Sequence, residues 1–250
     1  MLDKAKLRRI IESAETVQEA AFSGNSAESV SELAESSFAG IADTRSRRDF
    51  VPIQEGILSV FQTLNNLREN PDQYRGLSTG YKELDDVIIG MNRSDLVLVG
   101  ARPGMGKTSF AMNIASHAAK STGKTVCVFS LEMSTEQLIN RMLCSEACIP
   151  SSAMRTGELT EEQNHAIAHA SSKLAETKIM IDDTPGISVQ QILSRLRRVK
   201  DLGLVVIDYL QLMQSGSVTG NRVQEVGEIS RGLKLLAKEL DVPVICCAQL

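Results

Sequence analysis

Between Asp95 and Ser109 the chain reads DLVLVGARPGMGKTS, an apolar run that breaks into a glycine-bearing loop ending in Gly106-Lys107-Thr108. A loop of this kind, set between a strand and a helix, is suited to holding phosphate. The segment Arg102-Pro103-Gly104-Met105-Gly106-Lys107-Thr108-Ser109 is expected to wrap a di- or triphosphate. Backbone N–H groups of the loop and of the helix start converge on the anion, the Lys107 ammonium reaches the terminal phosphates, and the Thr108 hydroxyl ligates Mg2+. The strict form of the pattern has glycine five residues before Gly106, where this chain has Ala101, with Gly100 one place too early. The reading rests on Gly104 and Gly106, where the backbone must come close to phosphate, and on the Lys-Thr pair. A glycine-rich turn with no ligand is the alternative, and strand, loop, Lys-Thr and helix in that order speak against it.

Phosphate chemistry needs more than a cradle. The run Leu204-Val205-Val206-Ile207-Asp208 is a buried β-branched strand delivering one carboxylate at its C-terminal end, which makes Asp208 the candidate to hold the magnesium shell. The next residue is Tyr209, not a glutamate, so a catalytic base must come from elsewhere. Val126 to Ser130 runs into Leu131-Glu132-Met133, and a strand end there would bring Glu132 to the same rim of the sheet, where it can polarise the water that attacks a γ-phosphate. Gln249, at the end of the strand Val244 to Ala248, is the candidate γ-phosphate sensor. The bland readings are a helix cap for Glu132 and a surface amide for Gln249.

Other features weigh less. His165 and His169 lie four apart on a helix but have no third ligand nearby and read as solvated. Cys144 and Cys148 read as packing, and Arg195, Arg197, Arg198 and Lys200 as a solvated helix face. The loop Gln214 to Arg222, QSGSVTGNR, is tethered to the Asp208 strand, and a nucleotide-driven loop touching a track would look like this; an ordinary surface loop fits its composition almost as well.

These side chains need an alternating scaffold, and from Leu77 onward the text supplies one: an α/β domain with a mostly parallel sheet. Strands are expected at 96–100, 126–130, 179–181, 204–207 and 244–248. Ser134 with Gln137, Thr160 with Gln163 and Ser188 with Gln191 form capping boxes that start the intervening helices. Upstream, residues 2–22 and 26–42 carry apolar residues at helical spacing around a Gly24-Asn25 turn, a helical hairpin. The basic segment Thr44 to Asp49 reads as a linker, and Pro52 opens an amphipathic helix ended by Asn70-Pro71 whose apolar face needs a partner, either the chain's own core or a neighbouring subunit.

A chain of 250 residues with 42% hydrophobic content can fill a core, and no stretch approaches a membrane span or a signal-peptide core, which points to a cytoplasmic protein with no membrane partner. Its five cysteines form no CxxC pair and read as buried thiols. A net charge of −4 leaves any nucleic-acid contact to local loops.

The motifs GARPGMGKTSFAMNIA, FSLEMS, RTGELT, DDTPGISV, VVIDYLQLM, NRVQEVGEISRGLKLLAKEL and VPVICCAQL together resemble the replicative DNA helicases of the DnaB family, densely from Tyr74 to Leu250. Ala101 falls where that family often lacks the strict glycine. The resemblance implies a RecA-like P-loop NTPase core over 74–250, a linker with its amphipathic helix over 46–73, and the end of a helical N-terminal domain over 1–45. It implies ATP and Mg2+ as cofactors, phosphate binding at Gly104, Gly106, Lys107 and Thr108, magnesium at Thr108 and Asp208, water activation by Glu132 and γ-phosphate sensing by Gln249. It further implies a homo-hexamer on single-stranded DNA, the 53–67 helix docking on the adjacent subunit, and primase and a helicase loader as further partners.

Family members continue past the glutamine strand, into an arginine finger and a principal DNA-binding loop, so a chain ending at Leu250 is expected to be truncated, with its own hydrolysis and unwinding in doubt. Two other readings stay open at this point: a RecA-fold ATPase of recombinase or clock type that does not unwind, and a truncated adaptor without catalysis.

Overall fold

The computed structural model of the protein describes residues 2–23, 26–42, 52–69, 76–214 and 222–250. The chain divides into two compact units, Met1–Glu69 and Asn70–Leu250.

In the first unit, α1 (Leu2–Phe22) packs against α2 (Ala27–Ala42), and the Ser13 hydroxyl donates to the Ser37 carbonyl. Helix α3 (Ile53–Glu69) follows Pro52, whose fixed φ suits a helix start. It has no buried residue, and Ile53, Leu58 and Phe61 are 77%, 64% and 61% exposed. The expected Gly24-Asn25 turn, the basic Thr44 to Asp49 segment and the Asn70-Pro71 stop lie outside the described residues.

The second unit is a five-stranded parallel sheet between two layers of helices. After the short α4 (Lys82–Ile88) come β1 (Leu96–Ala101), α5 (Lys107–Thr122), β2 (Thr125–Ser130), α6 (Thr135–Ala147), α7 (Ser151–Thr156), α8 (Glu161–Ala175), β3 (Ile179–Asp182), α9 (Val189–Leu196) and β4 (Leu202–Asp208). A 3-10 turn (Leu210–Leu212), α10 (Arg222–Leu240) and β5 (Val244–Gln249) complete it. The strand order is β1-β5-β4-β2-β3, every pair parallel. All five expected strands are present, and the three capping boxes are formed in full at Ser134, Thr160 and Ser188. Neither α4 nor α7 carried a clear periodic signal.

Strand alternation sends side chains to opposite faces. On β4, Val205 and Ile207 join the core under α9 and α10 with Ile192, Leu233 and Leu236, while Leu204 and Val206 join Ala111, Ile114 and Ala115 of α5 and Leu138 of α6. Strand β4 begins two residues earlier than the sequence suggested. Gly203 lies inside it at a close approach: a Cβ there would stand 2.8 Å from the Lys124 Cβ.

The entry to this unit is fixed by one carboxylate. Asp85 accepts from the Ser78 hydroxyl at 2.6 Å, the Thr79 N–H at 2.9 Å and the Thr79 hydroxyl at 2.7 Å. Burial pushes its pKa up, but these hydrogen bonds outweigh that and hold it below the ordinary carboxylate value.

Four of the five cysteines are buried, as expected; Cys148 is exposed, which corrects the reading of all five as buried thiols. It caps α6 in the left-handed conformation, φ 55°, and so leaves the helix face it was expected to share with buried Cys144. Among the described residues no helix is long and apolar enough to cross a membrane.

Candidate nucleotide-binding site

The site begins where β1 stops. Ala101 is the last residue of β1, paired with Gln249, and its backbone is not left-handed, so the position that departs from the strict glycine pattern has no need of glycine. Gly104 and Gly106 do need it: their φ values are +77° and +84°, which an L side chain adopts only with strain. A Cβ at either would meet nothing within 4 Å, so the loop presents open backbone to its outer side. Gly106 is the N-cap of α5, and the Phe110 N–H to Gly106 carbonyl bond of 2.9 Å closes the first helical turn. The first N–H groups of a helix have no intrahelical partner, so this end of α5 favours an anion. Arg102, Pro103, Gly104, Met105 and Ser109 are exposed around it, Met105 at 74%.

Two side chains of the helix start turn inward to β4. The Thr108 hydroxyl donates to Oδ2 of Asp208 at 2.6 Å, and the Lys107 Nζ lies 3.6 Å from Oδ1 and 4.3 Å from the centre of the Tyr209 ring. Asp208 is 2% exposed, and its Oδ1 is buried with no hydrogen-bond partner. A buried carboxylate oxygen is costly in that state unless a cation or a donor reaches it. This acceptor, without a hydrogen bond and answered only by the Lys107 ammonium at 3.6 Å, stands beside a threonine hydroxyl and fits Mg2+, which is bound by one or two side-chain oxygens together with waters and substrate phosphates. Among the described residues there is no group of three or more His, Cys, Asp or Glu side chains that could cage a metal without such help.

The same charges reach behind the site. Burial pushes the Cys246 thiol up to about 12 and raises Cys247 as well; the Asp208 carboxylate adds to both and the Lys107 ammonium opposes.

Glu132 follows β2, which lies beside β4 with Ser130 opposite Asp208. The Leu131 N–H donates to the Asp208 carbonyl at 2.7 Å, and the Ser130 hydroxyl donates to the Met133 carbonyl at 2.6 Å, so the turn carrying Glu132 is pinned on both sides. Glu132 itself is exposed at the rim where β4 ends. Gln249 is exposed at the end of β5, which runs between β1 and β4. The topology thus brings the phosphate loop, Asp208, Glu132 and Gln249 to one rim.

Two features escaped sequence reasoning. A cleft of about 130 Å3 runs between α5 and α6 from Thr108 and Ser109, with Arg141 and Glu146 on its wall. Only the packing of two helices creates it, so no local pattern announces it. The second is Gln211, whose side chain bonds the Gln249 backbone from the far side of β5. Of the basic stripe, Arg195 pairs with Asp182 and Arg197 with Glu239. Of the loop Gln214 to Arg222, residues 215–221 lie outside the described residues; Gln214 forms a parallel bridge with Ser188.

The family model described as DnaB-like helicase C terminal domain matches residues 76–250. The chain is 42% identical over 253 residues to the replicative DNA helicase DnaC of Bacillus subtilis (strain 168), and 41% identical over 255 residues to the replicative DNA helicase DnaB of Geobacillus stearothermophilus. Each match covers 99% of this chain and 56% of the relative, so the chain spans little more than half the length of these relatives. Among solved structures, the ATPase domain of G40P superposes with a TM-score of 0.73 at 32% identity, covering 81% of this chain and 72% of that one. A DnaB-like replicative helicase, described together with its interactions with primase, superposes with a TM-score of 0.72 at 28% identity, covering 99% and 59%. The sheet and its flanking helices are the expected RecA-like ATPase core.

Proposed function

Because the chain belongs to the family of DnaB-like helicase C-terminal domains, we propose that it is the ATP-driven motor portion of a replicative DNA helicase. In this reading it works as a homo-hexameric ring that translocates on single-stranded DNA in the cytoplasm and unwinds duplex at the fork. The observation that carries the reading is the convergence of Lys107 and Thr108 on the buried Asp208 beneath an open, glycine-shaped loop.

Arg102 to Ser109 hold the triphosphate through backbone N–H groups, and Lys107 leaves its contacts with Asp208 and Tyr209 to neutralise the terminal phosphates. Thr108 and Asp208 would hold Mg2+, which when bound neutralises charge on the β- and γ-phosphates. The Glu132 carboxylate orients the attacking water and accepts its proton. Gln249 touches the γ-phosphate. The cleft from Thr108 and Ser109 towards Arg141 receives the nucleoside end. The exposed apolar face of α3 supports docking on a neighbouring subunit as the linker between 46 and 73, downstream of residues 1–45 as the end of an N-terminal helical domain. Primase and a helicase loader are partners by the same reading.

The test pairs binding with unwinding. The wild-type chain is expected to bind a fluorescent ATP analogue in Mg2+, and Lys107→Ala to lose at least about 100-fold in affinity. Unchanged affinity in that variant would sink the phosphate-loop assignment. In the ring-forming protein, ATP-dependent strand separation on a forked duplex is expected. Turnover without separation points instead to a RecA-fold ATPase that does not unwind, and binding without turnover to an adaptor.

A further inference from the structure

The Gln211 side chain closes on the Gln249 backbone with both ends of its amide: Nε2 donates to the Gln249 carbonyl at 2.8 Å, and Oε1 accepts from the Gln249 N–H at 3.2 Å. Engaging the N–H and C=O of one residue together is the work of a neighbouring strand in a parallel ladder. Strand β4 cannot do it, because its pairing with β5 ends at Ile207 opposite Cys246. On the other side the ladder continues, with Ala101 opposite Gln249 and the Leu250 N–H donating to the Ala101 carbonyl at 3.2 Å. Gln211 therefore replaces the missing strand at the one residue of β5 that stands level with the start of the phosphate loop.

The amide is held firmly enough to serve. Leu210 and Met213, on either side of it, are each 3% exposed in the core under α9 and α10. The Leu212 and Met213 N–H groups bond back to the Tyr209 and Leu210 carbonyls at 3.1 Å. The turn so anchored begins directly after Asp208 and leads to Gln214, whose N–H donates to the Ile187 carbonyl at 3.3 Å.

We propose that Gln211 is a positioning residue for γ-phosphate recognition: by clamping the Gln249 backbone it sets where the Gln249 amide stands relative to the phosphate loop, and it ties that position to the turn after Asp208. This rests on the reading of the phosphate loop and of Gln249 given above. Gln211 touches no reacting atom in this scheme. A displacement of Gln249 on loss of the γ-phosphate would pull on the Asp208 turn through two hydrogen bonds, and through that turn on Gln214.

The experiment compares wild-type, Gln211→Ala and Gln211→Glu chains for their affinities towards a non-hydrolysable ATP analogue and ADP, each in Mg2+, with thermal unfolding alongside. Glutamate keeps the shape of glutamine but has no N–H, so it sets an oxygen against the Gln249 carbonyl. The expected result is that both variants bind ADP within about twofold of wild type while the preference for the ATP analogue falls by about tenfold, with an unchanged unfolding temperature. A group that merely fills space would leave the preference of Gln211→Glu intact, and that result overturns the proposal. Equal loss of affinity for both nucleotides together with a lowered unfolding temperature overturns it too, since the role is then structural. A wild-type chain that binds neither nucleotide, or binds both equally, removes the phosphate-loop or Gln249 reading and the proposal with it. A wild-type preference that survives in both variants removes the proposal alone.

Discussion

Thr108 and Asp208 are joined by a 2.6 Å hydrogen bond across 100 residues of sequence, tying the first turn of α5 to the last residue of β4. The bond orients both oxygens toward the same small volume, next to the acceptor on Asp208 that has no hydrogen bond of its own. Asp208→Asn retains an oxygen for Thr108 but removes the charge that Lys107 and a magnesium shell require. We expect ATP-analogue binding in Mg2+ to weaken by about 10–100-fold, and binding in the presence of a chelator to change far less. A Mg2+ titration of analogue fluorescence measures both, and equal weakening under the two conditions would rule out a role for Asp208 in metal binding.

Glu132→Gln keeps the side-chain volume and loses the carboxylate of the proposed base. Because Glu132 is exposed and its turn is held by Ser130 and Leu131, the folded chain should not notice. The expected outcome is analogue affinity within about twofold and stability within about 0.5 kcal/mol, with turnover in the ring-forming protein reduced by about 10²–10⁴-fold. Phosphate release kinetics beside a binding titration check it. A variant that turns over at the wild-type rate would move the base elsewhere.

The Asp85 cluster makes stability pH-dependent on the acid side. Its folded pKa lies below the ordinary value of 3.8, so its contribution is fully present above that value and is lost as pH falls through the lower, folded one. Asp85→Asn should cost about 1–2 kcal/mol near neutrality and flatten the acid limb of the urea midpoint plotted against pH. An acid limb as steep as that of wild type would show that other carboxylates control it.

Thiol chemistry offers a simple check on packing. Only Cys148 is exposed, while Cys127 is pushed up to about 11 by burial and Cys246 to about 12. An aromatic disulfide reagent at mildly alkaline pH should titrate one thiol in the native chain and five after unfolding. Rapid reaction of a second thiol would mean that the packing opens around β2, β5 or the Cys144 face of α6.

Much of the scaffold was readable because its signals are local. The candidate phosphate loop declares itself through Gly104, Gly106 and Lys107, and the helices after Ser134, Thr160 and Ser188 through capping boxes whose two partners stand three positions apart. What could not be read depends on pairing between distant segments. That β5 lies between β1 and β4, that Arg141 borders a cleft starting at Thr108, and that Gln211 clamps Gln249 all follow from which strands and helices meet. Gly203 shows the same limit on a smaller scale: nothing local announces that a Cβ there would stand 2.8 Å from the Lys124 Cβ.

The strand order also dictates when the site can exist during synthesis. Strands β2, β3 and β4 find one another as they emerge, but among the described residues β1 pairs only with β5, Leu96 opposite Val244. A nascent chain must therefore keep the phosphate-loop strand unpaired on the ribosome until almost all of these residues have been made, with its apolar Leu96 to Val99 uncovered meanwhile. The strand that leads into the candidate phosphate loop thus gains its neighbour only once β5 has been made, and chains stopped before β5 leave that apolar strand uncovered and prone to aggregate.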